Sequence, residues 1–133
     1  MSLAVTDTHA LMWWSNGEVR RLGRAARAFF EKTELGSAAI YVPAFSLLEV
    51  AEAMRRGVFD PSQTFTAWAR QLLDSGQFIA VDLTPEILFE AESLYSIPER
   101  GDRLIAASAR HLGYPLITKD PAVRSIRGLE TIW

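Results

Sequence analysis

The 133-residue sequence contains no cysteine, which excludes a disulfide scaffold and thiolate zinc sites. It also lacks internal repeats and low-complexity segments. The apolar opening, residues 1–14, carries Asp7 and His9 and has no basic leader, so we expect neither a signal peptide nor a membrane span there. Because the absence of cysteine fits a reducing compartment, we expect a cytoplasmic protein with no membrane association.

The chain has little net charge, since 16 acidic residues nearly balance 14 basic residues to give −2. A strongly basic composition, as in proteins that coat nucleic acids, is therefore absent. Hydrophobic residues make up 49% of the chain, which is enough for one buried core. We expect residues 1–133 to form a single domain, because a second independent domain has no room.

Short apolar segments alternate with longer amphipathic segments along the chain. The short segments predict five strands, at residues 3–6, 38–42, 78–81, 116–118 and 129–133. Strands that alternate with helices are typical of an α/β fold, with a mostly parallel sheet that helices cover on both faces.

Two proline pairs mark helix starts. Asp60-Pro61 predicts a helix over residues 60–74, and Thr84-Pro85 predicts another. A third helix is predicted over residues 18–32 from their amphipathic pattern. Its polar face carries four arginines, for which exposure to solvent and contact with nucleic-acid phosphates are both open: Arg20, Arg21, Arg24 and Arg27.

The segment after Pro43 allows two helix registers. Ser46 and Glu49 have the spacing of a capping box, which would begin the helix at Ser46. A helix that begins at Pro43 would instead place Ser46 and Glu49 inside it, one turn apart on the same face. In either register, Gly57 marks the end of the helix.

Four carboxylates lie at or beside the ends of predicted elements, flanked by apolar residues: Asp7, Glu49, Asp102 and Asp120. Acids in such settings are usually helix caps, arginine partners or cation ligands, because an unpaired buried carboxylate costs several kcal/mol. Taken singly, Asp102 and Asp120 are typical of N-caps that open helices. Asp7 is harder to explain as a cap, because it follows a buried strand and precedes an apolar segment.

The carboxyl ends of parallel strands share one edge of a sheet, so these acids can face one common crevice. Converging like charges repel one another unless a divalent cation neutralises them. Ligands that are all oxygen favour Mg²⁺ or Mn²⁺ over zinc. Such an ion can activate water and hold a phosphate, which is the chemistry of phosphodiester hydrolysis.

Four segments, in this order, resemble the motifs of the PIN domain, specifically of VapC-type toxins: TDTHAL at 6–11, SLLEV at 46–50, DRLIAA at 102–107 and LITKD at 116–120. The resemblance covers nearly the whole chain. It implies a three-layer α/β/α sandwich and a Mg²⁺-dependent ribonuclease, with Mn²⁺ as a substitute ion. It also implies an RNA substrate, a homodimer, and inhibition by a small antitoxin protein in a toxin–antitoxin pair.

The resemblance also assigns residue roles. The four family acids that hold the metal match Asp7, Glu49, Asp102 and Asp120. Thr118 matches a polar position beside the last acid. Glu99 is either a supporting acid of the site or a solvated loop charge. Arg103 and Lys119 adjoin the acids and are candidates for RNA contact, with surface salt bridges as the alternative.

Two other classes of protein also fit the sequence. A phosphoryl-transfer domain of the receiver or haloacid-dehalogenase type would also use a strand-terminal acid, Thr118 and Lys119. The dehalogenase pattern requires a second acid two residues after the first, however, and His9 occupies that position. The other class is a non-catalytic module that keeps the fold only to bind a partner. The sequence does not specify which RNA a nuclease of this kind would cleave.

Overall fold

A parallel sheet lies at the centre of the protein, in a computed structural model that describes all residues from Met1 to Trp133. Its strands are β1 (Ser2–Thr6), β2 (Ala38–Pro43), β3 (Phe78–Val81), β4 (Leu116–Ile117) and β5 (Thr131–Ile132). The order across the sheet is β3-β2-β1-β4-β5, and every neighbouring pair is parallel. The predicted α/β class and the five-stranded parallel sheet are therefore confirmed.

Seven α-helices connect the strands: α1 (Thr8–Ser15), α2 (Arg24–Glu34), α3 (Ala44–Arg55), α4 (Phe65–Asp74), α5 (Pro85–Glu92), α6 (Arg100–Leu112) and α7 (Pro121–Arg124). A 3₁₀ turn at Val19–Arg21 separates α1 from α2. No helix in the chain combines the length and the apolar character that crossing a bilayer would require.

Two hydrophobic clusters hold the three layers together. Successive residues of a strand point to opposite faces of a sheet, so Ala4 and Val5 of β1 belong to different clusters. Helices α1 to α4 cover one face with fully or almost fully buried side chains: Leu11, Phe30, Val50 and Trp68. Helices α5 and α6 cover the other face with Ile87 and Ile105. Burial of each such side chain contributes about 1.5–3 kcal/mol.

The strand order reverses at β1. The chain adds β2 and β3 on one side of β1 and then returns to place β4 on the other side. A crevice opens beyond the carboxyl ends of the strands at such a reversal. The β1–β4 pairing extends into this crevice, because the Asp7 amide donates a hydrogen bond to the Ile117 carbonyl over 3.1 Å. The residues that follow β1 and β4 are thereby brought side by side.

Helix α4 begins at Phe65, so the predicted start at Asp60 is wrong. The Asp60 carboxylate instead accepts a hydrogen bond from the Ser62 amide at 2.9 Å, which closes a turn. Ser62 has a φ of 59°, a left-handed conformation that cannot continue a right-handed helix. The N-cap is Thr64, whose hydroxyl accepts from the Ala67 amide at 3.2 Å.

The helix predicted over residues 18–32 is interrupted. The 3₁₀ turn ends before Gly23, and α2 begins only at Arg24. A Cβ atom at Gly23 would lie 2.4 Å from the backbone carbonyl carbon of Trp133, so a close contact with that residue fixes the break. The apolar residues 8–15, to which the sequence pattern assigned no element, form α1.

The helix after β2 follows the second of its two possible registers. Pro43 is the N-cap position and α3 begins at Ala44, so the capping box at Ser46 is wrong. Ser46 is buried inside the helix, and its hydroxyl oxygen has no hydrogen-bond partner. Glu49 lies one turn further along the same helix, which directs it over the carboxyl end of the sheet.

The prediction that Asp102 caps α6 is also wrong. Glu99 is the N-cap, and its carboxylate accepts from the Asp102 amide at 2.7 Å, which leaves the Asp102 side chain free of that task. The predicted cap at Asp120 is confirmed, because its carboxylate accepts from the Ala122 amide at 3.0 Å. The predicted start at Thr84 is confirmed as well.

We expect Thr64→Ala to lower the free energy of unfolding by about 1 kcal/mol, because it removes the hydroxyl that caps α4. Thr66→Ala is the matched control, since Thr66 is exposed in the same helix and should change stability by less than about 0.5 kcal/mol. Urea denaturation measures both. Equal effects of the two substitutions would show that Thr64 does not act as a cap.

Candidate active site

Four acidic side chains from different elements gather beyond the carboxyl ends of β1 and β4. Asp7 follows β1, Glu49 lies on α3, Asp102 lies in the first turn of α6, and Asp120 follows β4. The Asp102 and Asp120 carboxyl groups are close enough to share a hydrogen bond, and Asp7 is near enough to act on Asp102 electrostatically. The convergence predicted from the sequence is therefore present for these side chains.

The acids line a cleft with two lobes, here called the acidic cleft. The first lobe has a volume of about 380 Å³ and includes Glu49. The second lobe has a volume of about 550 Å³ and includes Asp120. Asp7 and Asp102 line both lobes, so they lie where the lobes meet. A ligand that extends from one lobe to the other would pass directly over these two carboxylates.

Asp7 is held by hydrogen bonds from both sides. Its Oδ1 accepts from the Ala10 amide at 2.8 Å, which makes Asp7 the N-cap of α1. The buried Thr118 hydroxyl also hydrogen-bonds to the Asp7 carboxylate. Burial raises the pKa of Asp7, and these two hydrogen bonds only partly offset that effect. The carboxylate is therefore fixed in orientation and costly to charge.

Glu49 is oriented by a residue from α1. The Thr8 hydroxyl donates a hydrogen bond to Glu49 Oε1 at 2.5 Å. Burial raises the pKa of Glu49, the Thr8 bond opposes this, and the negative charge of Glu99 adds to it. A Cβ atom at Gly101 would lie 2.7 Å from Glu49 Oε2 and 3.0 Å from Glu99 Oε2. Because position 101 is glycine, α6 can approach α3 closely, and the carboxylates of Glu49 and Glu99 can lie side by side.

Three other acids oppose the ionisation of Asp102: Glu99, Asp120 and Asp7. Burial, followed by the negative charges of Glu99 and Asp120, raises the pKa of Asp102 to about 7. The hydrogen bond with Asp120 acts in the same direction, because it favours a protonated carboxyl between the two acids. At neutral pH, the Asp102 carboxyl therefore retains a proton in a substantial share of the molecules.

Glu99 has a different environment. Burial opposes its ionisation, but hydrogen bonds from the Gly101 and Asp102 amides outweigh burial and lower the pKa of Glu99. The positive charges of Arg100 and Arg103 act in the same direction. Glu99 therefore stays ionised as a helix cap beside the first lobe, and the role of a supporting acid stays a prediction.

The donor atoms of the cleft suit a hard divalent cation. They are carboxylate oxygens with the Thr118 hydroxyl beside them, and Mg²⁺ and Mn²⁺ prefer such oxygen ligands. Burial and the negative charges of Glu99, Asp120 and Asp7 all raise the pKa of Asp102, and a bound cation would offset them. No group of three or more acidic or histidine side chains already has the spacing of ligands around one ion. The residues fit the ion by chemistry, and binding would require side-chain rotations.

The two basic candidates from the sequence have separate positions. Lys119 lines the second lobe, with its ammonium nitrogen 4.8 Å from the centre of the Trp13 ring. Arg103 lines neither lobe. Its guanidinium donates to the Ile97 carbonyl at 3.0 Å and lies 4.1 Å from the centre of the Tyr95 ring. Arg103 therefore lies outside the acidic cleft, although its charge acts on Glu99.

Sequence reasoning left phosphate contact open for Arg21, and it did not identify several other residues in or beside the cleft: Thr8, Trp13, Arg56 and Gly101. The position of Thr8 directly after Asp7 is the one signal that could have suggested a role. The others reach the cleft only through contacts between distant segments, which leave no local pattern in the sequence.

Comparison with known proteins agrees with this architecture. Residues 4–129 match the family model of the PIN domain. Across their full lengths, the chain is 36% identical over 138 residues to a protein named Ribonuclease VapC22 from Mycobacterium tuberculosis.

The fold is also similar to that of solved structures. One is from VapBC2 of Rickettsia felis bound to a DNA fragment from its promoter, with a TM-score of 0.70 and 14% identity over 97% of this chain and 96% of that one. Another is from DNA-bound VapBC of Salmonella typhimurium, with a TM-score of 0.67 and 12% identity over 98% and 97%. Identities this low support the fold alone.

We expect the metal-free protein to lose stability as the pH rises from about 5 to about 8. The pKa of Asp102, about 7, lies above its usual 3.8, so the native state binds more protons than the unfolded state in this range. Deprotonation therefore favours unfolding. The lowered pKa values of Glu18 and Glu99 act only at lower pH. Urea denaturation with a chelator present measures this trend.

The matched variants are Asp102→Asn and Asp82→Asn. Asp102→Asn should make the pH dependence shallower, because it removes one of the three acids with a raised pKa and leaves Asp7 and Glu49 in place. Asp82 is exposed and follows β3 at the far edge of the sheet, so Asp82→Asn should keep the original slope. A slope that is the same in all three proteins would contradict the electrostatic account of the cleft.

Proposed function

The chain belongs to the PIN domain family, and from this premise we propose that it is a divalent-metal-dependent endoribonuclease, the toxin of a toxin–antitoxin pair. The observation that carries the proposal is the convergence of Asp7 and Asp102, where the two lobes of the cleft meet, with Asp120 beside them in the second lobe. The name of the relative from Mycobacterium tuberculosis, a ribonuclease, supports the reaction class. The absence of cysteine supports a cytoplasmic location.

In this proposal Asp7, Asp102, Asp120 and Glu49 hold Mg²⁺, for which Mn²⁺ can substitute. The ion would supply positive charge near the scissile phosphate and would lower the pKa of a water molecule. Hydrolysis of the phosphodiester bond by water would leave a 5′-phosphate and a 3′-hydroxyl, as the family resemblance implies. A separate protein base is not required, so His9 has no assigned catalytic task.

The chain's own residues prepare the site before substrate arrives. The Ala10 amide and the Thr118 hydroxyl fix the Asp7 carboxylate, and the Thr8 hydroxyl fixes Glu49. Such preorganisation avoids reorientation of charged groups during the reaction. Thr118 in this view orients an acid directly. Lys119 offers a positive charge to the RNA backbone in the second lobe.

The proposed partners follow from the structural neighbours. One solved structure of similar fold is a toxin–antitoxin complex from Klebsiella pneumoniae, with a TM-score of 0.63 and 18% identity over 95% of this chain and 94% of that one. By similarity, we propose that a small antitoxin protein inhibits this chain and that the chain forms a homodimer. An exposed apolar surface on α5 and its flank, which includes Leu83, Leu88 and Phe89, is available for such contacts.

Asp7→Asn should reduce cleavage of single-stranded RNA by at least about 100-fold, because the amide keeps the shape of the side chain but removes a negative ligand. Gel analysis of a labelled RNA with Mg²⁺ present measures the rate. Asp82→Asn is the matched control, since Asp82 also follows a strand but lies outside the acidic cleft. Undiminished cleavage by the Asp7→Asn protein would overturn the proposed function.

Mn²⁺ should stabilise the wild-type chain and leave the Asp7→Asn protein almost unchanged. A ligand present at 100 times its dissociation constant stabilises the native state by about 2.7 kcal/mol, which raises the melting temperature by several degrees. Differential scanning fluorimetry across a Mn²⁺ titration measures this without reference to activity. The absence of any shift in the wild-type protein at millimolar Mn²⁺ would favour a non-catalytic binding module instead.

A further inference from the structure

Trp13 contacts two positive charges that belong to distant parts of the chain. The guanidinium carbon of Arg21 lies 4.3 Å from the centre of the Trp13 ring. The ammonium nitrogen of Lys119 lies 4.8 Å from the same centre. Both distances are within the range of cation–π attraction, and tryptophan is the aromatic side chain that attracts cations best. One ring therefore holds two cations from opposite ends of the sequence.

The ring itself is inaccessible to a substrate base. Trp13 is 6% exposed and also packs edge-on against Trp133, with ring centres 6.1 Å apart. The two cations, by contrast, are exposed. The charged group of each residue thus contacts a buried aromatic ring on one side and remains accessible to solvent on the other. A stacking platform for RNA bases is excluded at Trp13, whereas contact with phosphates at the cations is not.

The two cations lie in different lobes of the acidic cleft. Arg21 lines the first lobe and Lys119 lines the second, whereas Trp13 borders both. Asp7 and Asp102, which line both lobes, therefore lie on the route between the two positive charges. Phosphates are repelled by the acids, so cations on both sides are needed to hold a strand across them.

The existing partner of Arg21 does not prevent this role. Arg21 forms an ion pair with Glu18 at 3.2 Å, and both side chains are substantially exposed. Exposed ion pairs of this kind contribute little free energy, so a phosphate can replace the carboxylate at small cost. Lys119 forms no ion pair in the structure. Both cations are thus available to a polyanion.

We propose that Trp13 is a positioning residue that holds Arg21 and Lys119 in the two lobes, so that each contacts a phosphate of one RNA strand lying over Asp7 and Asp102. The proposal rests on the proposed ribonuclease function and specifies how the substrate is held. It adds Arg21 and Trp13 to the site. It also orients the strand, with one flanking phosphate in each lobe and the scissile phosphate between them.

The test is the salt dependence of RNA binding. The probe is a fluorescein-labelled, single-stranded RNA of mixed sequence and about 20 nucleotides. Asp102→Asn is present in every protein so that cleavage does not interfere. Fluorescence anisotropy gives the association constant between 50 and 200 mM salt. Each phosphate contact on single-stranded nucleic acid contributes about 0.7 to the slope of log K against log salt concentration.

We expect Arg21→Gln and Lys119→Gln each to reduce the magnitude of this slope by about 0.7, and the double variant to reduce it by about 1.4. Arg27→Gln is the matched control, because Arg27 is an exposed arginine on α2 that pairs with Glu31 and lines neither lobe. An unchanged slope in either single variant, or no RNA binding by the parent protein, would overturn the inference. The rate of RNA cleavage by the Asp7→Asn protein tests the proposed function independently of this experiment.

The role of Trp13 is tested by two substitutions in the same background. Trp13→Leu removes the aromatic face but leaves both cations, and should weaken RNA binding about two- to fivefold with a reduced salt slope. Trp13→Phe keeps an aromatic face and should restore most of the slope. Thermal unfolding checks that each variant is folded. A loss of affinity with the slope unchanged would assign Trp13 to core packing alone and end the positioning role.

Discussion

Mutual repulsion among carboxylates is the constraint on which the rest of this structure depends. The pairing of β1 with β4 brings Asp7 beside Thr118, and α6 then adds Asp102 close to Asp120. The resulting charge is unfavourable, and together with burial, which is the largest cause, it raises the pKa of Asp102. Two hydrophobic clusters on opposite faces of the sheet supply the stabilisation that offsets this repulsion. The fold therefore tolerates mutually repelling carboxylates at the carboxyl edge of the sheet.

The five strands and the acids at their ends could be predicted because both leave local patterns in the sequence. Buried parallel strands are short apolar runs, and the acids stand where those runs end. Helix starts were less predictable, because several residues compete for the same cap. The Asp60 carboxylate closes a turn by accepting a hydrogen bond from the Ser62 amide and does not cap a helix. Glu99 rather than Asp102 caps α6. Local preference indicated a capping residue in each case, but tertiary packing determined which residue took that position.

The contacts that orient the acids of the site were not predictable from one sequence. The Thr8 hydroxyl reaches Glu49 across 41 positions of the chain, and neither residue carries a signal for the other. From the sequence, Gly101 could have been interpreted as a residue that destabilises a helix. In the structure, the absence of a side chain at this position leaves space for the carboxylates of Glu49 and Glu99. Both effects depend on the distance between packed helices, and that distance follows from the whole core.

The sequence presented capping and metal binding as alternative tasks for the acids, but in the structure a capping bond does not occupy the whole carboxylate. Asp7 and Asp120 each cap a helix with Oδ1, which leaves the second carboxylate oxygen outside the capping bond. A cap also fixes the side chain near the positive end of a helix, where a negative charge is stabilised by about 0.3–1 kcal/mol. The capping bond thus orients the carboxylate and partly offsets its repulsion from the other acids. In this protein the features that begin helices α1 and α7 are the same features that make a cation site at the switch point of the sheet chemically reasonable.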